Sequence, residues 1–228
     1  MTNIFTSSGA KLTLFGGERT ASDKLPLITL PSFDKSSDIF YKTASDFCSG
    51  KAFYLLEIKV DDWNGQLSPW PVSEPQAFSG GGSVFLRHIT DDILSGIIKK
   101  ESTLDTDRMI IIGYSLAGLF SLWSMYNTSV FAAAASCSGS LWYSGFIDYM
   151  SSHDIRNKSK IYLSLGSKEE KSRNALFSTI GDKTREAADI LRSDPRAAKT
   201  ELVFNPGGHG TDVEKRIALA MKWCLENT

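Results

Sequence analysis

Apolar positions along this chain follow two rhythms. Short, nearly continuous runs (27–30, LITL; 53–58, FYLLEI; 109–112, MIII; 131–136; 160–165; 201–204) alternate with longer stretches in which apolar residues return every three or four positions. Continuous runs of that length are the pattern of strands covered on both faces. The periodic stretches predict helices over 36–47, 83–100, 115–126 and 212–225, with a helix-rich stretch between 165 and 201. In the first, Ile39, Phe40, Ala44 and Phe47 share a face and Gly50 lies just past the end. In the second, Val84, His88, Ile89, Ile93, Ile97 and Ile98 do so. The first strand, 27–30, is expected to stop at Pro31, which has no N–H for a ladder. Between Asp61 and Gly82 the pattern lapses, and Pro69, Pro71, Pro75 and the glycines 80–82 predict a long irregular loop with a flexible hinge. Strand and helix otherwise alternate from end to end. That is the signature of an α/β domain on a mostly parallel, doubly wound sheet with helices on both faces. No polar linker divides it, so a single domain over 1–228 is expected.

Composition narrows the partners more than the chemistry. With 42% hydrophobic and 22% charged residues, the chain is too apolar and too balanced to stay disordered. Lys plus Arg number 25 against 26 for Asp plus Glu, and the net charge of −1 removes the usual electrostatic reason for a nucleic-acid or membrane-surface partner. No apolar run approaches the roughly 20 residues of a membrane-spanning helix, and the first residues lack the basic-then-apolar pattern of a signal peptide. Cys48, Cys137 and Cys224 are far apart and form no CxxC pair, so neither a disulfide framework nor a zinc site is expected, and a cytoplasmic location fits. The sharpest count is histidine: His88, His153 and His209 are the three places where imidazole chemistry could sit.

In an open parallel sheet, ligands collect beyond the carboxyl ends of the strands. After MIII come Gly113, Tyr114, Ser115, Leu116, Ala117 and Gly118, then a helix at once. A serine on so tight a strand-to-helix turn is a nucleophile elbow, G-x-S-x-G with Ala117 in place of the last glycine. Small neighbours are needed because the serine sits in a strained conformation and larger side chains at 113 and 117 would collide across the turn. Its hydroxyl also meets a helix N-terminus, which favours developing negative charge. The alternative is that Ser115 merely caps the helix.

A neutral serine hydroxyl needs a base. His88 falls on the apolar face of 83–100, and His153 lies in the polar stretch SSHDIRN, which reads as surface. His209 follows ELVF in the loop NPGGHG, where glycines crowd one imidazole and imply a loop shaped to aim it. The base needs an orienting carboxylate at the end of 160–165, where GSKEE offers Glu169, with Glu170 and, further on, Asp182 as alternatives. The order serine 115, acid 169, histidine 209 is that of the α/β-hydrolases. The oxyanion should then meet the backbone N–H of Leu116 and a second donor from the loop after FYLLEI, around 60–62, with Asp61 the candidate.

These residues carry a resemblance. GYSLAG (113–118), SGSLWY (138–143), G-x-x-E (166–169) and GGHG (207–210), with the segment DDWNGQLSPWP (61–71), resemble the esterase branch of the α/β-hydrolases, which takes in esterase D and the siderophore esterases of the enterobactin type. The resemblance runs from about residue 25 to the end. It implies an α/β-hydrolase fold and a serine esterase that works through an acyl-enzyme without cofactor or metal. The basic residue that siderophore members often carry before the S/T-P pair is absent ahead of Ser68 and Pro69, and the N-terminal part is short. A small-molecule ester would lie against Tyr114, Ser138 and Trp142, with Trp63 and Trp70 on the opposite loop either walling the cleft or packing beneath it. Besides the esterase, an acyltransferase on the same residues and a catalytically silent binding protein are compatible with the chain.

Overall fold

The computed structural model describes residues 2–7, 9–17, 20, 23–32, 37–74 and 77–228, the first of these segments by backbone alone. Ser36, the expected helix start, and Pro75 lie outside the described residues. In chain order the elements are β1 (Thr2–Ser7), β2 (Ala10–Phe15), β3 (Leu25–Ser32), α1 (Asp38–Phe47), β4 (Phe53–Lys59), α2 (Trp63–Gln66), β5 (Pro71–Val72), β6 (Phe78–Ser79) and α3 (Gly82–Arg87). A π-helical segment (His88–Leu94) leads to α4 (Ser95–Lys100), β7 (Leu104–Tyr114), α5 (Leu116–Asn127), β8 (Ala133–Cys137), α6 (Phe146–Ser152) and β9 (Ser159–Gly166). Two 3₁₀ turns, Glu169–Lys171 and Phe177–Thr179, precede α7 (Ile180–Ser193), β10 (Ala197–Asn205) and α8 (Val213–Asn227).

Among the described residues the main sheet has eight strands in the order β1-β2-β4-β3-β7-β8-β9-β10. It is parallel from β4 to β10 and antiparallel at β1–β2 and β2–β4. The continuous apolar runs divide their side chains between two cores, as the two-residue period of a strand demands. Leu55, Ile110 and Ile112 face the core closed by α1 and α8, whereas Leu56 and Ile111 face the one covered by α3 through α7. Both faces are therefore dry, and the strand ends carry the polar chemistry.

Five expectations about the fold need correction. The antiparallel pair β1–β2 was not expected, since no element is read before 27; AKLTLF, paired between β1 and β4, is a polar–apolar alternation rather than a continuous run. β3 runs through Pro31. Ser32 O accepts from Val60 N–H on the β4 side, so the imide nitrogen of Pro31 faces the β7 side, where pairing has already stopped at Thr29 and no ladder bond is lost. In the 82–100 helix, Phe85, Leu86, Ile89, Leu94 and Ile97 are buried and Val84, His88 and Ile98 exposed. The π segment inserts one residue between Ile89 and Leu94, so beyond it the buried position falls on Leu94 instead of Ile93. Ile39 likewise points outward while Phe40 and Ala44 are buried.

The described residues of 61–82 are closely packed rather than a hinge. A Cβ on Gly80, Gly81 or Gly82 would lie 2.6 Å from Pro71, 3.0 Å from Gly65 O and 2.7 Å from Ser68 O, respectively. The buried Ser68 donates to Gly65 O and accepts from Gly80 N–H. The three glycines permit close backbone approach, and the result is a packed wall beside the strand ends.

Candidate active site

β7 ends in the turn expected of a nucleophile elbow. Ser115 has φ 58° and ψ −122°, a costly conformation for a side-chain-bearing residue. A Cβ on Gly113 would stand 2.0 Å from Ala117 O, and one on Gly118 would stand 3.0 Å from Gly139 Cα, so both positions require glycine or something close to it. The turn is fastened on both sides: Ser115 N–H donates to Cys137 O (3.0 Å) and Ser115 O accepts from Ser140 N–H (3.0 Å). Ser115 is thus held with its hydroxyl at the start of α5, where Leu116 contributes the first amide, which no helical carbonyl can satisfy.

The loops after β9 and β10 bring the other two residues to it. Lys168 N–H donates to Gly207 O (2.9 Å) and Ser167 N–H to Asn205 O (2.8 Å), lacing the two loops together. Gly207 has φ 97°, and a Cβ there would meet Thr211 at 2.6 Å. His209 Nδ1 lies 2.7 Å from Glu169 Oε2, and His209 Nε2 lies 3.1 Å from Ser115 Oγ. An ionised carboxylate only accepts, so the Nδ1–H donates to Glu169 and Nε2 faces the serine as an acceptor. Burial pushes the Glu169 carboxyl up, but hydrogen bonds from His209, Ser138 and Gly166 outweigh it and hold the group below its ordinary range. Glu170 and Asp182 point elsewhere, both paired with Arg185 at 2.8 and 3.1 Å.

Behind Glu169 lies a residue to which none of the motifs points. Arg216, on α8, is 1% exposed. Its Nη1 donates to Glu169 Oε1 (3.2 Å), Ser138 Oγ (3.0 Å) and Tyr114 Oη (3.0 Å), and its Nη2 to Pro206 O (3.2 Å) and Gly208 O (3.0 Å). The Ser138 hydroxyl donates to Glu169 Oε1 (2.7 Å), and Ser138 has φ 44°, a second strained residue beside the first. The available signal was a charge on the buried stripe of 212–225, between Val213 and Ile217; a buried charge has to be paired.

The three residues open onto a cavity of about 510 Å³. Its polar side is Ser115, Glu169, His209, Ser138 and Ser140, and its apolar side is Trp63, Phe78, Trp142, Phe177 and Ile180. Trp142 packs on Phe177 with ring centroids 5.1 Å apart and on Phe78 at 6.3 Å. Lys168 and Lys171 stand at its rim. Among the described residues, no cluster of His, Cys, Asp and Glu could hold a metal ion.

No protein-family model matches the sequence, and no curated protein matches it either. Solved structures do match. The siderophore hydrolase EstB from Aspergillus nidulans superposes with TM-score 0.76 over 96% of this chain and 90% of its own, at 15% identity. The enterobactin and salmochelin hydrolase IroE superposes with TM-score 0.68 over 95% of this chain and 88% of its own, at 17% identity. This is the α/β-hydrolase fold. IroE in complex with DFP matches it too, with TM-score 0.70 over 95% of this chain and 89% of that one, at 16% identity.

On this α/β-hydrolase scaffold, Ser115, His209, Glu169, Leu116, Ser138, Trp142 and Trp63 all reach the cavity. Three expected site residues do not. Asp61 is apart from it, and its N–H donates to Gln66 Oε1 (2.9 Å); the loop first reaches the cavity at Trp63 and Asn64. Trp70 packs against Tyr143, Phe146 and Tyr149, and its Nε1–H donates to Ser144 O (3.0 Å), so it braces the wall from behind. Tyr114 lies under His209, with ring centroids 5.5 Å apart, and its hydroxyl donates to His209 O. His88 pairs with Asp92 on the surface and His153 stacks on Tyr149, both exposed. Cys48, Cys137 and Cys224 are free and buried, and burial pushes the thiols of Cys48 and Cys137 up to about 11 and about 12. No helix among the described residues is long and apolar enough to cross a membrane.

Proposed function

We propose that this chain is a serine hydrolase that cleaves a carboxylic ester through an acyl-enzyme on Ser115, with His209 as base and Glu169 as orienting acid. One observation carries the assignment: an unbroken line of hydrogen bonds from Ser115 through His209 to the buried Glu169, at the edge of a cavity lined by aromatic rings. His209 Nε2 takes the serine proton as Oγ attacks the acyl carbon, then returns it to the leaving alcohol; water repeats the two steps to free the acid. Glu169 fixes the tautomer and stabilises the imidazolium. Leu116 N–H supplies one oxyanion donor at the start of α5, and the wall at Trp63 and Asn64, rather than Asp61, supplies the second. The shared fold with EstB, named a siderophore hydrolase, and IroE, named an enterobactin and salmochelin hydrolase, supports hydrolytic chemistry.

The substrate would be a small-molecule ester with an apolar body to lie on the rings. The net charge of −1 supports neither a nucleic-acid nor a membrane partner, and three unpaired cysteines support a reducing, cytoplasmic setting. The test is hydrolysis of p-nitrophenyl acetate and butyrate. Turnover is expected, with a burst of nitrophenol when deacylation is slower than acylation. A folded protein without turnover would leave a silent binding protein on the same scaffold.

A further inference from the structure

The geometry points to Arg216 as the positioning residue of this site: a buried cation that holds the acid and base loops in one register and shares the charge of Glu169. This rests on the hydrolase assignment above. Burying a guanidinium is costly, and an apolar residue of similar volume often gives equal or greater stability, so fold stability alone does not account for it. What an apolar residue could not do is visible in the bonds. Pro206 O and Gly208 O belong to the loop that carries His209, Glu169 Oε1 to the loop after β9, Ser138 Oγ to the strained turn after β8, and Tyr114 Oη to β7 just ahead of the nucleophile. One side chain therefore fastens four strand ends. Its only unpartnered donor is Nε–H. Tyr114 carries the connection on by donating to His209 O.

The charge matters as well as the shape. The Glu169 side chain is 6% exposed and has two cations to answer, Arg216 on one oxygen at 3.2 Å and the imidazolium that forms on the other at 2.7 Å. While Arg216 shares the carboxylate, the Glu169–His209 pair draws a proton less strongly than an unshared carboxylate would. The other titratable groups facing this cluster are Tyr114 on β7 and Cys137 on β8, both pushed up by burial and so neutral. Lys168 and Lys171, on the rim, face solvent. Arg216 is the cation hydrogen-bonded to Glu169 from outside the pair.

Two substitutions separate the effects. R216K keeps the charge but has one ammonium in place of the planar fork; R216M removes the charge at similar volume. The pH dependence of kcat/KM on p-nitrophenyl butyrate is measured for both, with near-ultraviolet circular dichroism as the check on folding. R216K is expected to lose about tenfold to a hundredfold in kcat through misplacement of the loops, with its acid limb where the wild type has it. R216M is expected to lose as much and to have its acid limb moved up by about one pH unit, because the unshared carboxylate holds a proton on the pair more tightly. If R216M does not fold, R216K decides alone. An active wild type beside a folded R216K with unchanged kcat overturns the role of Arg216, as does a folded R216M with the wild-type limb. A wild type that neither turns over the ester nor takes a fluorophosphonate overturns the hydrolase assignment, and the role of Arg216 with it.

Discussion

The two walls of the cavity are held together in different ways. On one, Ser115, His209, Glu169, Ser138 and Arg216 are joined by hydrogen bonds of 2.7–3.2 Å, and two of their backbones are strained. On the other, beside Trp63, the rings of Phe78, Trp142 and Phe177 meet with centroids 5.1 Å or more apart, and Phe177 is 39% exposed. Hydrogen bonds weaken steeply with misalignment, whereas ring packing tolerates several arrangements. The polar wall is therefore built for one geometry and should set turnover. The aromatic wall can adapt and should set what binds.

The severest break is S115A. It should lower kcat by about 10⁶-fold with the fold intact, as for removal of a serine nucleophile elsewhere. Turnover that survives in the folded variant would move the chemistry off this wall. Next comes E169Q, expected to cost about 10⁴-fold because an amide supports the wrong imidazole tautomer. Glu170→Gln and Asp182→Asn should stay near wild type, since both acids serve Arg185; an E169Q enzyme no worse than these would refute the polar wall as described. Across the cavity, W142A and F177A should raise KM for the butyrate ester roughly tenfold while kcat holds, the signature of lost uniform binding. A fall in kcat with unchanged KM would mean that the rings also position the reacting atoms.

The smallest effect is on stability against pH. Glu169 titrates lower in the folded chain than in the unfolded one, so it stabilises the fold above the unfolded value of about 4.3 and that contribution is lost as pH falls through the folded value. Urea midpoints at pH 6 and pH 3.5 should therefore drop further for wild type than for E169Q. Equal drops would show that the carboxylate is no better stabilised in the fold than in the open chain.

The polar wall was readable from the sequence to the extent that motifs carry it. Ser115, Glu169 and His209 each follow a strand, and their chemistry requires particular residue types in a particular order. Arg216 has no such order: it is one charge on an otherwise apolar helix stripe, and two of its five partners are backbone carbonyls that any sequence supplies. Tyr114 adjoins the nucleophile in sequence, yet it serves His209 from beneath, because adjacent residues on a strand point to opposite faces. The aromatic wall was half legible. Trp63 and Trp142 were expected, but Trp70 points into packing with Tyr143 and Phe146, and Phe177 comes from a 3₁₀ turn with no periodicity to announce it. Asp61 lies off the cavity, and Gln66, five residues on, takes its N–H. In the fold, the parallel strands were legible because both faces are dry. The N-terminal hairpin was not, since β2 alternates polar and apolar residues where the other strands run apolar throughout, and the π segment was not, since it breaks the helical period.

The central claim is that Ser115 is an activated nucleophile, and a fluorophosphonate probe read by intact mass tests it directly. The buried thiols, with their proton held up to about 11 and about 12 in Cys48 and Cys137, should not compete. Folded wild type should gain a single adduct, mapped to the peptide carrying Ser115, with loss of ester turnover in step, and S115A should gain none. A folded wild type that stays unlabelled, or an S115A protein that carries the same adduct, would contradict the account.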